Sequence, residues 1–405
     1  MAVDFAMSPA DRAFAEDLRA WLDEHLPAFL TAGDEDDDHA STAEHIQERR
    51  RAWQKLLDQG RWAAVHWPEE WGGRAATPMQ RLLYAEIMAE KRVPGLYNTN
   101  GIWQIGPMLI QWGTDGQKRR WLPSILSGDE HWCQGFSEPD AGNDLANLRT
   151  TAVADGDTYV VNGTKIWIST AHLARWGLFL FRTDPTAITR EAKHEGITAF
   201  VVDMHAPGIV TRPIRDISGD EMFNEVVFTD AVVDAANRLG GEGEGWMVAM
   251  GTLGFERVGI AGQITTLAAD LRAMVETARA VNPGALDDPL MGDRLARAWT
   301  EIELCRLLVY RALSKVARGE KNWPEVPLAK LQWSQLAQSL SELAVDLLGP
   351  AGALGRGGPD AVDRGKWSRQ YAFQRYSTIG GGSTEVQKNI IADRAIKLPG
   401  KARSS

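Results

Sequence analysis

The chain has 405 residues, with 44 Lys and Arg against 54 Asp and Glu and a net charge near −10. That length suits two or three domains or one multi-lobed unit. The acidic balance speaks against nucleic acid as the main partner, because phosphate binding needs a basic surface. Two cysteines, Cys133 and Cys305, give neither a disulfide framework nor a metal-ligand pattern, so no metal is expected and a reducing cytoplasm is the default compartment.

The N-terminus, MAVDFAMSPADRAFAEDLRAWLDEHL, is acidic and amphipathic and lacks the basic and apolar regions of a signal peptide. No run approaches ~18 apolar residues, so no membrane span is expected. Residues 1–130 read as helical, beginning with Ser8 as a cap and Pro9 in the first turn. The charge run Asp34 to Ala40 reads as a solvated loop. TAEHIQERRRAWQKLLDQG is a second helix stopped by Gly60, and TPMQRLLYAEIMAEKR and GTDGQKRRWLPSIL continue the pattern. After residue 131 the period changes to that of strands. GDTYVVNGTKIWIST alternates on both sides of Asn162-Gly163, which predicts a hairpin turn at those two residues. WGLFLFRT, GITAFVVDM and NEVVFTDAVV are further strands, so 131–240 form a compact β domain. From residue 241 long amphipathic helices return, broken at VNPGALDDPLMG, and continue to 397, with 398–405 a tail. Sixteen tryptophans are many for this length; most belong in cores, and some suit a pocket for something large and flat.

Four segments carry chemistry. In WCQGFSEPDAGNDLANLRTTA, Ser137, Asn143, Asp144 and the amides around Gly142 form a donor-rich loop able to hold a polar ring edge or a pyrophosphate. Alone, it reads equally as a Gly/Asp turn. Trp167, Ile168 and Ser169 offer an aromatic face beside a small hydroxyl, which suits a flat heterocycle, although a lone Trp is more often core. Glu256-Arg257 interrupts an otherwise apolar helix, either as a structural ion pair or as a base beside an anion clamp. Gly380 to Gly382 run into Ser383, Thr384 and Glu385 as a tight capped turn or an anion site.

In this order the four segments resemble the acyl-CoA dehydrogenase family over nearly the whole chain. FSEPDAGNDLANLRTTA resembles its flavin loop, VNGTKIWIST its N-G-x-K-x-W-I-[ST] segment, GEGEGWMVAMGTLGFERV the start of its third domain, and IGGGSTEVQKNIIADR its closing motif. The resemblance implies an α+β fold: an N-terminal helical domain, a middle β-barrel-like domain and a C-terminal four-helix bundle. It implies FAD held without a covalent bond and α,β-desaturation of an acyl-CoA thioester, in which a base removes the α-proton and the β-hydride passes to the flavin. An electron-transferring flavoprotein is the implied electron acceptor. Gln134, Phe136, Ser137, Gly142, Asn143, Trp167, Ile168, Ser169, Ser383 and Glu385 fall at cofactor-contacting positions. Asn143, Arg257 and Gly381 fall at positions facing the substrate, Arg257 toward the CoA moiety. Asn143 replaces the family's usual serine, and Asp140 stands where a glycine is common.

Two departures matter. Many members carry their catalytic glutamate in the closing motif, at the position of Gly381; a minority carry it on the first long helix of the third domain, where Glu256 stands. The resemblance therefore assigns the base to Glu256, and leaves Gly381 to polarise the thioester carbonyl through its N–H. A glycine also vacates volume, which favours a branched, cyclic or steroid-side-chain acyl group. The second departure is ARAVNPGALDDPLMG, which lacks the arginine-aromatic-glycine segment that reaches a neighbouring subunit's FAD. A homotetramer or dimer is the family's habit, and some actinobacterial relatives form heterotetramers. The competing readings are a flavin-dependent monooxygenase or oxidase on the same fold and a non-catalytic partner subunit of a heteromeric dehydrogenase.

Overall fold

A computed structural model describes residues 7–34, 43–189, 193–318, 320 and 325–398; within these, the side chains at 31–34, 43, 44, 252–261, 316, 317 and 394 are not described. The charge run and the tail expected from the sequence thus lie mostly outside the described residues. Five helices come first: α1 (Pro9–Asp34), α2 (Ala43–Gln59), α3 (Pro78–Glu90), α4 (Gly106–Trp112) and α5 (Asp115–Ser127). Their starts follow local chemistry. The Ser8 hydroxyl accepts from the Asp11 N–H at 3.1 Å while the Asp11 carboxylate accepts from the Ser8 N–H at 3.2 Å. Thr77 and Thr114 close the same reciprocal box with Gln80 and Gln117. A turn of π-helix, Gly101–Ile105, leads into α4; nothing in the apolar spacing announces it.

Eight strands follow: β1 (Trp132–Gly135), β2 (Thr151–Asp155), β3 (Thr158–Ser169), β4 (Trp176–Arg182), β5 (Ile197–Asp203), β6 (Ile209–Ile214), β7 (Phe223–Asp234) and β8 (Arg238–Leu239). They form one sheet in the order β6-β7-β3-β2-β4-β5-β8, with β1 added parallel to β4. Inward side chains of β1, β2, β3, β4, β5 and β7 share one core that includes Phe179, Phe181, Phe200 and Phe228.

The turn predicted at Asn162-Gly163 is not there. β3 runs straight through both residues, and the two-residue turn of the β2–β3 hairpin is Gly156-Asp157. Gly156 supplies the left-handed φ, +59°, that a tight hairpin needs. Asn162 instead bridges to β7, exchanging hydrogen bonds with Asp230 at 2.9 and 3.0 Å beside a register shift. Gly163 is glycine because a Cβ there would lie 2.7 Å from the Thr150 Cα.

The remaining helices are α6 (Gly245–Val281), α7 (Pro289–Ala317), α8 (Glu325–Leu348), α9 (Pro350–Ala353), α10 (Lys366–Phe373) and α11 (Thr384–Ile390). α6, α7, α8 and α10 supply one core, from Ile264, Met274, Ile302, Leu340, Leu347 and Trp367 among others. Pro283 and Pro289 separate α6 from α7, as the sequence predicts. The described chain falls into two compact units, one drawn from Met1–Leu18, Thr77–Val93 and Arg257–Ser405, the other from Arg19–Ala76 and Pro94–Glu256. The helix, sheet, helix order along the chain is the one expected.

Candidate active site

Strand β3 builds one part of the site by breaking its own alternation. Tyr159, Val161 and Lys165 point inward, so a regular strand would bury Trp167 as well. A bulge between Lys165 and Ile168 shifts the phase. Trp167 adopts a left-handed φ of +62° and is 58% exposed, while Ile168 is buried in the sheet core. Trp167 meets Phe223 edge to face at 6.1 Å. An aromatic ring of this size turned out of a core by a strained backbone marks a surface made to be covered. Ser169 follows on the outward phase and is half-buried.

The loop after β1 lies against this strand. The Ile166 N–H donates to the Ser137 carbonyl at 3.0 Å, which sets Ser137 beside the bulge. Phe136 is buried. The loop turns through a mutual backbone pair between Glu138 and Ala141, 3.1 Å each way, and neither Asp140 nor Gly142 takes a left-handed φ. The aspartate at 140 therefore costs the loop no permissive geometry. Gly142 and Asn143 are exposed at its tip, and Asp144 is tied to Lys193 at 2.8 Å.

Three polar groups on this surface are uncommitted among the described residues: the hydroxyls of Ser137 and Ser169, and the buried amide oxygen of Gln134. An orphaned buried acceptor needs a donor. With the exposed face of Trp167, these groups fit the polar edge and flat face of an isoalloxazine ring.

Behind Ser169, Thr170 is also left-handed, at φ +54°. Its hydroxyl donates to the Ser169 carbonyl at 2.8 Å and so accepts from His131 Nε2, also at 2.8 Å. That leaves His131 Nδ1 buried as an unpartnered acceptor. Burial, reinforced by neighbouring His172, holds His131 down at about 4, so the ring is neutral at neutral pH.

Of the remaining expected residues, Arg257, Gly381, Ser383 and Glu385 belong to the other unit, whereas Glu256 ends the stretch that carries Trp167. Gly381 and Gly382 are left-handed, at φ +67° and +97°, a backbone that favours glycine. Gly381 is exposed and its N–H donates to no described group. Ser383 spends its hydroxyl capping α11, accepting from the Val386 N–H at 3.3 Å. Glu385 is exposed, and its carboxyl is held below the usual range by its own N–H and the Ser383 hydroxyl. The capped-turn reading thus describes Ser383, and the free donor is Gly381. The backbone of α6 carries Glu256 and Arg257, whose side chains lie outside the described residues.

The motifs did not single out Lys165, Glu138 or His131. Lys165 could have been found: it interrupts the apolar inward phase of β3.

Comparison with known proteins gives this surface a lineage. The family models for the N-terminal, middle and C-terminal domains of acyl-CoA dehydrogenases match residues 8–129, 133–231 and 243–396. Acyl-CoA dehydrogenase IpdE1 of Mycobacterium tuberculosis is 40% identical over 395 residues, 96% of this chain and 98% of its own length. A solved structure of the ChsE4-ChsE5 complex from Mycobacterium tuberculosis superposes with a TM-score of 0.82 at 30% identity, over 98% of this chain and 99% of that one. The Tcur3481-Tcur3483 steroid ACAD gives a TM-score of 0.83 at 29% identity, over 98% and 99%. Matched from end to end by all three domain models, and presenting a surface that fits a flavin ring, the chain belongs to the acyl-CoA dehydrogenase family of FAD-dependent oxidoreductases that act on CH–CH bonds.

Proposed function

We propose that the chain desaturates a branched, cyclic or steroid-side-chain acyl-CoA at the Cα–Cβ bond, with Glu256 as the base. The observation that carries this reading is Gly381. Among the described residues the Gly381 N–H of the closing turn donates to nothing, no carboxylate stands at that position, and its left-handed backbone disfavours any side chain. A carboxylate must then come from elsewhere, and α6 carries Glu256. The named relatives support the substrate class, since one solved neighbour is a steroid ACAD.

In this mechanism Gly381 N–H donates to the thioester carbonyl, which acidifies the α-proton. Glu256 takes that proton as the general base. Arg257 neutralises part of the CoA moiety. Trp167 would cover the ring face of the flavin, and Gln134, Phe136, Ser137 and Ser169 would line its edge, with Gly142 and Asn143 at the loop tip. FAD, when bound, supplies the hydride acceptor at Cβ. Ile168 contributes through its backbone, since its side chain fills the sheet core. Ser383 and Glu385 shape the Gly381 turn. An electron-transferring flavoprotein reoxidises the enzyme.

We infer that the chain works as an oligomer, with a second acyl-CoA dehydrogenase-like chain as the favoured partner, because both solved neighbours bear the names of two chains. Anaerobic titration with a panel of acyl-CoAs tests the function: ring-bearing and branched thioesters should bleach the flavin faster than straight-chain ones. Preference for a short straight chain would overturn the substrate assignment, and failure of every thioester to bleach would overturn the activity.

A further inference from the structure

A buried ion pair lies under the flavin surface and has no role in the chemistry above. Lys165 is fully buried, 0% exposed, at the inward position of β3 just before the bulge. Its ammonium donates to the Phe136 carbonyl at 3.0 Å and to Glu138 Oε1 at 2.8 Å. Glu138 is buried too, and its carboxylate also accepts from the N–H groups of Arg149 at 2.7 Å and Thr150 at 2.9 Å. Two limbs of the loop and the strand are thus tied to one point. The fold alone does not ask for this. The other inward residues of β3 are apolar, and an apolar residue at 165 would pack without desolvating a charge. Burial holds the Lys165 ammonium down at about 8. Glu138 is pushed up by its own burial, but Lys165 and the two amides outweigh this and hold it below the usual range. Both groups are charged at neutral pH.

We propose that Lys165 and Glu138 are positioning residues for the cofactor: together they fix Phe136 and Ser137 in register with Trp167 and Ser169, so that the flavin edge and face meet a preformed surface. This rests on the FAD assignment made above. The pair acts through backbone. Lys165 holds the Phe136 carbonyl one residue from Ser137, whose own carbonyl takes the Ile166 N–H. Ring contacts on the loop and ring contacts on the strand therefore move as one body.

The test compares apoprotein of the wild type, Lys165→Met and the double variant Lys165→Met/Glu138→Gln, by thermal melting and by titration with FAD alone. The single variant strands a buried carboxylate and should lose stability. The double variant removes both charges and keeps one acceptor oxygen for the Arg149 and Thr150 amides, which donate to two oxygens in the wild type, so it should melt above the single variant. It should still bind FAD at least ~10-fold more weakly, with an altered visible band. A double variant with wild-type FAD affinity and spectrum would show that the pair serves only the fold. Hydrogen exchange on the wild-type protein gives a reading free of variants. Segments containing Ile166, Arg149 and Thr150 should be as protected in apoprotein as with FAD; exchange as fast as at the exposed loop tip would overturn the proposal. If wild-type apoprotein takes up no FAD, the cofactor assignment has failed instead.

Discussion

At the scale of single residues, the sharpest expectation concerns Glu256. Thioester α-protons are weakly acidic, so the base has to be a carboxylate placed over Cα. Glu256→Gln keeps shape and removes basicity. It should retain FAD and bind acyl-CoA, yet reduce the flavin at least ~10²-fold more slowly in stopped flow. Near wild-type reduction would remove Glu256 from the mechanism. Restoring a carboxylate through Gly381→Glu meets an obstacle that the sequence did not reveal. The left-handed φ of +67° costs a side chain roughly 1–2 kcal/mol. A second residue-scale expectation concerns acid. His131 holds few protons above about 4 in the folded protein, whereas the unfolded residue titrates near 6.5. Between these values the unfolded chain binds more protons, so stability falls as pH drops through that window, by at most on the order of 3 kcal/mol. His131→Asn should flatten the urea midpoint between pH 6.5 and 4. An unchanged slope would assign acid sensitivity to other groups.

Strand β3 holds most of the lesson at the scale of elements. Its Asn-Gly pair reads as a turn and acts as strand, because the glycine is needed for close approach to Thr150. Gly163→Ala combines a φ of +142° with a backbone clash and should cost about 2 kcal/mol or more. Gly156→Ala, in the actual turn, meets open space at φ +59° and should cost only ~1 kcal/mol. Equal losses in chemical denaturation would mean that the approach to Thr150 is not what demands glycine. The bulge four residues on is equally local in cause and wider in effect. It moves Trp167 from the buried phase to the exposed one while returning Ile168 to the core.

On the scale of the whole molecule, the sheet core and the core of the C-terminal helices both contribute to stability. In the helical core Leu347 is fully buried, whereas Leu290, at the start of α7, is 76% exposed. Leu347→Ala should lose ~2–5 kcal/mol through lost burial and the cavity left behind, and Leu290→Ala close to nothing. Comparable midpoints for the two variants would contradict the packing described. Both cysteines are buried and free, so reductant should leave the melting curve in place.

The residue pattern alone gives the order of helices, sheet and helices, because apolar period is a local property that survives without tertiary context. It also determined the family, through motifs whose chemistry demands particular residue types at fixed spacing, and it pointed to Trp167, Ser169 and the Ser137 loop. The tertiary structure decided what depended on another strand's presence. Gly163 is explained only by Thr150, Lys165 only by Glu138 and the Phe136 carbonyl, and the neutral ring of His131 only by its burial beside Thr170. Each of these couples residues at least 13 positions apart in the chain, read from 150 and 163, and no periodicity reports such a pairing. Gly381 shows the division in one residue. The sequence says that a carboxylate is missing there, and the backbone angle adds that the turn was built for none.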